Sequence, residues 1–576
     1  MFANLVEDAY RAWRNQETDL KLSTDLLSEI ALREEESAYT FATLFYYRSL
    51  RNAAIIEEHD EIVAELERMR PLLPDSEFKA WMDQIESGNR RVLTDIYRFW
   101  QTRDPFLSTG ANERLIEHWQ RIQYAREHYS RKDPPTYDID DRGFYHIKLG
   151  KPDRTIKTYL RLNSVIMPGG EVYRFGSQMR ADVELWNYRL NGEDVLLLFS
   201  SRDGSEIYHL RRNIKDIFDT NGTHLQFVNS GRLDSRAMRK LVERVLIFGT
   251  AEQLSYAHDY FEDMFQEMMF RSSYGNSRFS LNMEYVNSYI HHQMYRHISR
   301  SSEEITSLVN DDQKLQLSQR IYRFLDNDNR YRFLLVSYPL TGRELVSSAR
   351  SAFISTQLAF YDENWDRVAF KEDLQKMTFN PDQDQAAYQI KEPLNTYDAY
   401  FSTEVIDTSL NNIQVPGRVN SKTSAIVATS GKKRIDFPEM LDIRDTLLVS
   451  DIVLGSYEEG VGDLALPIRP NLLMKFGKGS DIDIYFEIYN IPPGGYAFEY
   501  YLLKQRWLLK DRKVKTEGSI TVLNDQAENR DSQLFSITLP ETASGSYELV
   551  FEFRSLNTEQ HPVIRERKIE LEIGDE

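Results

Sequence analysis

Eight residues between positions 103 and 153 combine charged side chains with residues that favour turns. Arginine guanidinium groups form paired hydrogen bonds with carboxylates, and nearby aromatic residues such as Phe99 and Trp100 can shield such pairs from water. One interpretation is a structural network that fixes the ends of helices to the turns of a sheet. The other is a binding site for a small molecule or peptide that uses the same groups. The eight residues are Arg103, Asp104, Asp141, Arg142, Gly143, Gly150, Pro152 and Asp153.

The same charges would also suit a hydrolase-like enzyme. The carboxylates of Asp141 and Asp153 have arginines as sequence neighbours, and such neighbours can separate the pKa values of two carboxyl groups. Acid–base catalysis depends on that separation. No GxSxG sequence is present to supply an activated serine, so we expect a non-enzymatic protein and assign no catalytic residue. In the catalytic interpretation these side chains open onto one cleft, whereas in the structural interpretation they lie buried against one another.

Calcium and phosphate sites receive little support from the sequence. Asp138, Asp140 and Asp141 could supply carboxylate oxygens to calcium, but the remaining ligands of a calcium loop do not follow them. Gly143 and Gly150 belong to no GxGxxG or Walker sequence. We therefore interpret both glycines as turn residues and predict no nucleotide site.

Histidine and cysteine content argues against other metal centres. The chain has no cysteine, which excludes disulfides, thiolate nucleophiles, iron–sulfur clusters and cysteine-based zinc sites. His258 and Glu262 would share a helix face at a spacing of four residues, but no third ligand accompanies them. His292 and His297 would lie about 140° apart on a helix, which suits no shared metal ion. We expect neither a metal nor a cofactor.

Composition restricts the partners and the compartment. A net charge of −19 repels the phosphates of nucleic acids and of anionic membranes, so we predict protein partners, with self-association included, and no nucleic acid. No stretch approaches the 18 or so apolar residues of a transmembrane segment. The start MFANLVEDAYRAW lacks the basic and apolar regions of a signal peptide. We expect a cytoplasmic protein if Met1 is the native start, and a periplasmic or secreted one if a signal peptide has been removed.

Helical spacing of apolar residues dominates the N-terminal part of the chain. Leu5, Ala9 and Trp13 begin a series of short amphipathic stripes, which is typical of stacked helical hairpins. A tetratricopeptide-like array is an alternative, although no clean 34-residue period is present. At 576 residues the chain is too long for one core, and three or four domains are expected. We assign residues 1–90 to a helical repeat-like domain.

Residues 91–330 combine both kinds of periodicity and are assigned to one mixed α+β domain. After further helices, Phe144–Leu149 and Val183–Tyr188 are predicted to be strands of a meander. Helices are predicted again over Asp234–Leu325. Within them, the methionine- and phenylalanine-rich stretch Phe261–Phe270 is interpreted as core rather than as an exposed groove.

Beyond Tyr331 nearly all of the pattern is that of strands. Short alternating runs separated by turns such as Pro492–Gly495 are typical of β-sandwiches. Thr378–Lys433 is polar and predicted to be loop-like, so we place a boundary near residue 440. The two modules are 331–440 and an Ig-like 441–576. The predicted fold class is multidomain α+β: N-terminal helical hairpins, a mixed domain, then C-terminal antiparallel β-sandwich modules.

Several motifs resemble a known family. The sequences FWQTRDP at 99–105, DRG at 141–143 and GKPD at 150–153 are similar, in this order, to motifs of the GWxTD-domain family of bacterial proteins. At the position of the motif that names the family this chain has YDIDD at 137–141, of which only the last aspartate matches. The resemblance implies a divergent bacterial member with a GWxTD-like α+β domain, and the family has no assigned activity.

The most economical functional hypothesis is a non-enzymatic structural or protein-binding scaffold. Helical hairpins and β-sandwiches present wide surfaces without needing a catalytic cleft. An alternative is a module that binds carbohydrates or other polymers, since flat aromatic rings can stack on sugars. The candidate rings for that alternative are Tyr361, Trp365, Tyr485 and Tyr489.

Overall fold

The computed structural model describes most of the chain and divides it into two compact units. One unit comprises Met1–Trp100 and Ala111–Ser307, and the other comprises Gln101–Gly110 and Leu308–Glu576. The expected boundaries near residues 90, 330 and 440 are finer than this division and stay predictions. The described residues are 2–130, 139–167, 170–190, 193–202, 206–211, 214–218, 235–273, 314–326, 330–340, 346, 350–378, 386–391, 398–410, 426–438, 447–458, 466–504, 512–556 and 564–574.

The N-terminal part of the chain is helical, as its apolar spacing predicts. Helices that follow one another pack together, α1 on α2, α2 on α3 and α4 on α5. Side-chain caps begin three of them: Asp19 accepts a hydrogen bond from the Leu22 amide, Asn112 accepts one from the Leu115 amide, and Asp140 accepts one from the Arg142 amide. The helices are α1 (Phe2–Arg14), α2 (Leu20–Arg33), α3 (Tyr39–Asn52), α4 (His59–Met69), α5 (Asp75–Glu86), α6 (Arg91–Arg103), α7 (Glu113–His128) and α8 (Asp141–Leu149).

A four-stranded antiparallel sheet follows, in the order β1-β2-β3-β4. One face of the sheet, which includes Val183 and Leu185, shares a core with the two helices that follow the sheet. The second of these helices contributes Phe261, Met264 and Met268 to that core. The methionine-rich stretch is therefore core, as predicted. The opposite face carries Trp186, Tyr188 and Phe199 and packs against Leu149 of α8. The elements are β1 (Arg154–Ile166), β2 (Val172–Leu190), β3 (Glu193–Arg202), β4 (His209–Leu210), α9 (Ser235–Ser255) and α10 (Asp259–Ser273).

Three predicted elements differ from the structure. Phe144–Leu149 is not a strand but part of α8, since Asp140 caps a helix there and Gly143, His146 and Ile147 are buried at helical spacing. Leu317–Leu325 is not helical but a strand that pairs with Tyr331–Pro339 over its whole length. Thr378–Lys433, predicted to be loop-like, contains the mostly buried strand Asp398–Asp407. The predicted helix between 274 and 313 lies outside the described residues.

The second unit is built from sheets whose pairings are antiparallel, except for one short parallel pair between β16 and β22. The sheet orders are β5-β6-β9; β11-β10-β7-β8 with β12 beside β10; β13-β17-β14-β15 with β20 beside β17; and β16-β22-β21-β18-β19. The strands are β5 (Leu317–Leu325), β6 (Tyr331–Pro339), β7 (Ala352–Tyr361), β8 (Arg367–Lys376), β9 (Ala386–Lys391), β10 (Asp398–Asp407), β11 (Ile426–Thr429), β12 (Lys433–Arg434), β13 (Leu448–Val449), β14 (Val453–Tyr457), β15 (Ile468–Pro470), β16 (Lys475–Gly477), β17 (Asp481–Ile491), β18 (Tyr496–Lys504), β19 (Arg512–Val522), β20 (Glu528–Thr538), β21 (Gly545–Ser555) and β22 (Ile564–Gly574).

The four sheets of this unit lie in successive layers. One face of the β5-β6-β9 sheet places Phe333 against Phe401 of the β7–β10 sheet, and the other places Phe324 near Tyr485 of β17. The last two sheets share a core in which Phe486 of β17 meets Phe498 of β18 at a centroid distance of 5.2 Å. None of the helices in the described parts of the chain is both long enough and apolar enough to cross a bilayer.

Candidate functional site

Arg142, near the start of α8, lies at the centre of a buried group of charges. Its Nε and Nη2 donate to Asp140 Oδ2 at 3.1 and 2.7 Å, and its Nη1 donates to Glu184 Oε2 at 3.0 Å. The arginine side chain is 10% exposed and the two carboxylates at most 3%. Two carboxylates thus share one guanidinium in a site shielded from water, where charge-assisted hydrogen bonds are strong.

Two aromatic rings lie against the guanidinium of this group. The guanidinium carbon of Arg142 lies 3.7 Å from the ring centre of Tyr208 and 5.0 Å from that of Tyr129. Trp186 Nε1 donates to Glu184 Oε1 at 2.8 Å, which satisfies the second oxygen of that carboxylate. Burial alone would lower the pKa of Arg142, but its hydrogen bonds to Asp140 and Glu184 outweigh burial and raise the pKa above its ordinary value.

The two consecutive aspartates connect α8 to β4. Asp140 Oδ1 accepts from the backbone amide of Arg142 at 2.9 Å as a helix cap, and its Oδ2 accepts from the Tyr208 amide at 3.1 Å. Asp141 Oδ2 accepts from the Leu210 amide at 2.8 Å. We name Asp140, Asp141, Arg142, Glu184 and Tyr208 the α8 clamp, because together they hold the first turn of α8 to β2 and β4.

The other end of α8 is fixed by a second set of contacts. Gly150 ends the helix, and its carbonyl accepts from the Tyr188 hydroxyl at 3.0 Å. Arg121 Nη1 donates to the Ile147 carbonyl at 3.2 Å. Asp153 Oδ2 accepts from the Arg189 amide at 2.7 Å, and half-buried Pro152 lies between it and the helix. Asp153 therefore lies at the start of β1 and is not a member of the α8 clamp.

Gly150 cannot be replaced without strain. Its φ of 77° and ψ of −160° lie in a region that only glycine adopts readily, and an added Cβ would lie 2.8 Å from Nη2 of Arg121. We expect Gly150→Ala to lower the free energy of unfolding by about 2–3 kcal/mol. Gly88→Ala is the matched control, since Gly88 also has a positive φ, 72°, but no atom within 4 Å of an added Cβ, and should cost only about 1 kcal/mol. Equal losses in urea denaturation would show that the contact with Arg121 has no effect.

Arg103 and Asp104 do not join the α8 clamp, contrary to the interpretation of all five charges as one network. Both lie in residues 101–110, which belong to the second compact unit, whereas the clamp belongs to the first. Asp104 Oδ1 accepts from the Phe106 amide at 3.2 Å. The five charges of the predicted network are thus divided between the two compact units.

Residues 101–110 contact the β7–β10 sheet through polar groups. Lys432 Nζ donates to the Gln101 carbonyl at 2.7 Å, and Ser108 donates to Glu404 of β10 at 3.2 Å. Burial lowers the pKa of Lys432 to about 8, opposed by the negative charge of Asp104. Lysine, serine and carboxylate groups separated by some 300 positions in sequence thus hold this short segment in place.

The sequence interpretation missed three members of the α8 clamp: Asp140, Glu184 and Tyr208. Glu184 shares its face of β2 with Trp186 and Tyr188, and a carboxylate beside two aromatic residues on one face of a strand was a detectable indication. Tyr208 gave no comparable indication, since its place depends on the pairing of β3 with β4.

The other candidate sites are not assembled by the described residues. Asp140 and Asp141, two of the three candidate calcium ligands, use their carboxylates to accept hydrogen bonds from backbone amides. The third candidate, Asp138, lies outside the described residues. Among the described residues there is no group of three potential metal ligands. The histidines at 291, 292 and 297 also lie outside the described residues. His258 precedes α10, and its Nδ1 accepts from the Tyr260 amide at 3.1 Å.

The aromatic rings proposed to stack on carbohydrate are in the interior. Each is between 1% and 4% exposed, so none presents a face to a sugar. Tyr361 and Trp365 stack on one another, while Tyr485 and Tyr489 both donate to Glu487. These four residues therefore do not support carbohydrate binding.

Comparisons with known proteins do not assign the chain to a family. No family model matches it, and no curated protein matches it. Among solved structures, CBD12 from CALX1.2 is 11% identical, covering 40% of this chain and 77% of that chain, with a TM-score of 0.11. A calcium binding mutant of Bacteroides uniformis beta-glucuronidase 2 is 9% identical, covering 43% and 28%, with a TM-score of 0.15. Scores this low carry no argument about fold or function.

Proposed function

We propose that this protein is a non-enzymatic scaffold that binds protein, and that the partner bound through strand β8 is a second copy of the chain. The observation that carries the proposal is an apolar stripe on β8. Phe370 and Leu374 lie on one face of the strand and are 37% and 58% exposed, and Val368, at an irregularity in the pairing with β7, is 48% exposed. Exposed apolar residues that alternate along a strand mark an interaction surface.

The position of β8 favours pairing with another strand. It is the last strand of its sheet and pairs with β7 on one side only, among the described strands. An edge strand offers backbone donors and acceptors to an incoming chain, and long apolar edges are rare because they associate. The proposed surface therefore provides both main-chain hydrogen bonds and apolar contacts.

The charges of β8 suit antiparallel pairing with its own copy. If Glu372 of one copy lies opposite Glu372 of the other, Lys371 faces Asp373 and Phe370 faces Leu374, each twice. Glu372 Oε1 accepts from the Ser355 hydroxyl on β7 at 2.9 Å, which draws that carboxylate away from the free edge. Apart from the Glu372 pair at its centre, this register places opposite charges and apolar residues across from one another.

Charge reversal on β8 tests this register. We expect the wild-type chain to sediment as a dimer, and Lys371→Glu or Asp373→Lys alone to give monomers, because each places like charges opposite one another twice. The double variant carrying both changes should restore the dimer. Ile56→Lys is the control, since Ile56 is 79% exposed in the other unit and should leave the mass unchanged. A monomeric wild type at high concentration, or single variants that still dimerise, would refute the proposal.

The α8 clamp supports a structural role for the motif residues over a catalytic one. Its carboxylates are used by Arg142, by backbone amides and by Trp186, and they lie buried against one another. We also propose that the chain is a divergent GWxTD-domain protein. That assignment is supported by the order of the FWQTRDP, DRG and GKPD motifs in the sequence.

We further propose that the layered C-terminal sheets are Ig-like β-sandwich modules. Support comes from the apolar core that the sheets containing β17 and β18 share, and from the antiparallel pairing within both apart from the short parallel pair β16–β22. Modules of this kind offer the broad surfaces that a scaffold needs.

A further inference from the structure

A pocket in the second unit combines an unusual charge with a small volume. It encloses about 360 Å³ and is bordered by β5, by β22 and by the residues just before β14. Arg320, Arg567 and Lys568 line it together with the acidic Asp451 and Glu570. Its size is at the lower end of the range for small-molecule sites. Three cations around one cavity contrast with a chain of net charge −19.

One of the two acidic residues is already neutralised. Asp451 forms a two-pronged ion pair with Arg323, from Nε to Oδ2 at 2.9 Å and from Nη2 to Oδ1 at 2.6 Å. Paired guanidinium and carboxylate groups of this geometry cancel each other's charge. Lys568 is paired as well, since its Nζ lies 3.0 Å from Glu566 Oε1. Arg320 and Arg567 then remain against Glu570, so the lining of the pocket is net positive by one charge.

The hydrogen bonds of the two arginines lead to neutral acceptors. Arg320 Nε donates to the Leu472 carbonyl at 3.4 Å, and Arg567 Nη2 donates to the Val449 carbonyl at 3.0 Å. The Nε of Arg567 is buried and has no hydrogen-bond partner among the described residues. A buried donor without a partner is costly, and a bound acceptor would remove that cost.

The electrostatic surroundings of Arg567 lead to the same expectation. Burial lowers its pKa, and the positive charges of Arg323 and Arg565 lower the pKa further, against the opposing effect of Asp451. Positive charge is thus crowded at this position. An anion would relieve that crowding.

We propose that this pocket binds a small organic anion through an oxyanion group, either a carboxylate or a phosphate. Arg567 and Arg320 contact the oxyanion, and the apolar side chains of Ile452 and Met474 contact the carbon skeleton. This site is separate from β8 and does not depend on self-association.

Titration of the full-length chain with two probes tests the proposal. Inorganic phosphate and citrate are added at constant ionic strength, with chloride as the balancing anion, and binding is followed by calorimetry. We expect saturable binding of at least one probe with one site per chain. The probe that binds more tightly identifies the oxyanion as phosphate or carboxylate. No saturable binding of either probe to the wild type would overturn the proposal.

Variants then locate the site. Arg567→Gln and Arg320→Gln lie on different strands, so one remains informative if the other fails to fold, and each should weaken binding at least tenfold. Arg554→Gln is the matched control, because Arg554 lies on the adjacent β21, is 49% exposed and does not line the pocket. It should bind within twofold of the wild type. Unchanged binding in folded Arg567→Gln or Arg320→Gln would place the anion elsewhere and refute the assignment.

Discussion

Replacing Arg142 with alanine is expected to lower the free energy of unfolding by about 3–5 kcal/mol. Its removal leaves the carboxylates of Asp140 and Glu184 buried beside each other without a compensating charge. Two carboxylates lose their partner at once, so the expected loss is that of a broken buried ion pair rather than that of a surface contact.

The control for Arg142→Ala is a second cation beside the carboxylate of Glu184. Lys157 Nζ lies 3.7 Å from Glu184 Oε2, but the lysine side chain is 73% exposed. Lys157→Ala should therefore change stability by less than about 0.5 kcal/mol. Both variants are measured by urea denaturation of the full chain with tryptophan fluorescence, since five of the seven tryptophans lie in the first unit. Similar losses for both variants would mean that Arg142 behaves as a surface arginine, and the ligand-site interpretation would then gain over the structural one.

Acid is expected to destabilise the first unit through two buried histidines. His118 of α7 is fully buried, and burial together with Arg114 and Arg121 lowers its pKa well below the usual value. His146 of α8 is 5% exposed, and burial, Arg121 and His128 lower its pKa to about 3, opposed by Glu117. Both rings are therefore neutral in the folded protein at moderately acidic pH.

The direction of the pH dependence follows from these lowered values. Unfolded histidines take up protons below about pH 6.5, whereas the folded ones do not, so stability is present above pH 6.5 and is lost as the pH falls. Each histidine contributes about 1.4 kcal/mol per pH unit, and the two together about 4 kcal/mol between pH 6.5 and 5. Burial also lowers the pKa of His258, which adds in the same direction.

The measurement is the unfolding free energy at several values between pH 5 and 7. The double variant His118→Gln, His146→Gln should show a much shallower dependence than the wild type, whatever its stability at pH 7. His59→Gln is the control, because His59 is an exposed residue at the start of α4 and should leave the slope unchanged. A double variant with the wild-type slope would mean that other groups cause the acid sensitivity.

Local sequence patterns predicted the classes of element but not the pairing of distant residues. N-terminal helices and C-terminal strands were predictable because their periods of 3.6 and 2 repeat within short windows. The strand predicted for Phe144–Leu149 was wrong, because so short a run rich in aromatic and apolar residues fits both periods. The cap at Asp140 makes the segment a helix. Arg142 was identified from its type and surroundings. Its partner Glu184 lies 42 residues away and is defined only by the register of the sheet.

The separation of Arg103 and Asp104 from Arg142 has a different cause. The two segments are about 40 residues apart, and proximity in sequence suggested proximity in space. The unit to which a segment belongs depends on long-range packing instead. Residues 101–110 pack with a sheet formed by residues some 250 to 330 positions later in the sequence. No local pattern encodes that choice.

The placement of residues 101–110 affects how far the chain can fold while it is still being synthesised. Gln101 and its partner Lys432 are separated by 331 residues. At ribosomal rates of about 5–20 residues per second, roughly 15–70 s pass between the emergence of the segment and that of its partner. During that interval Phe106 and Leu107, both buried in the finished protein, have no sheet to cover them. The nascent chain therefore presents an apolar segment that a chaperone can recognise, and folding of the second unit can be completed only after translation has passed Lys432.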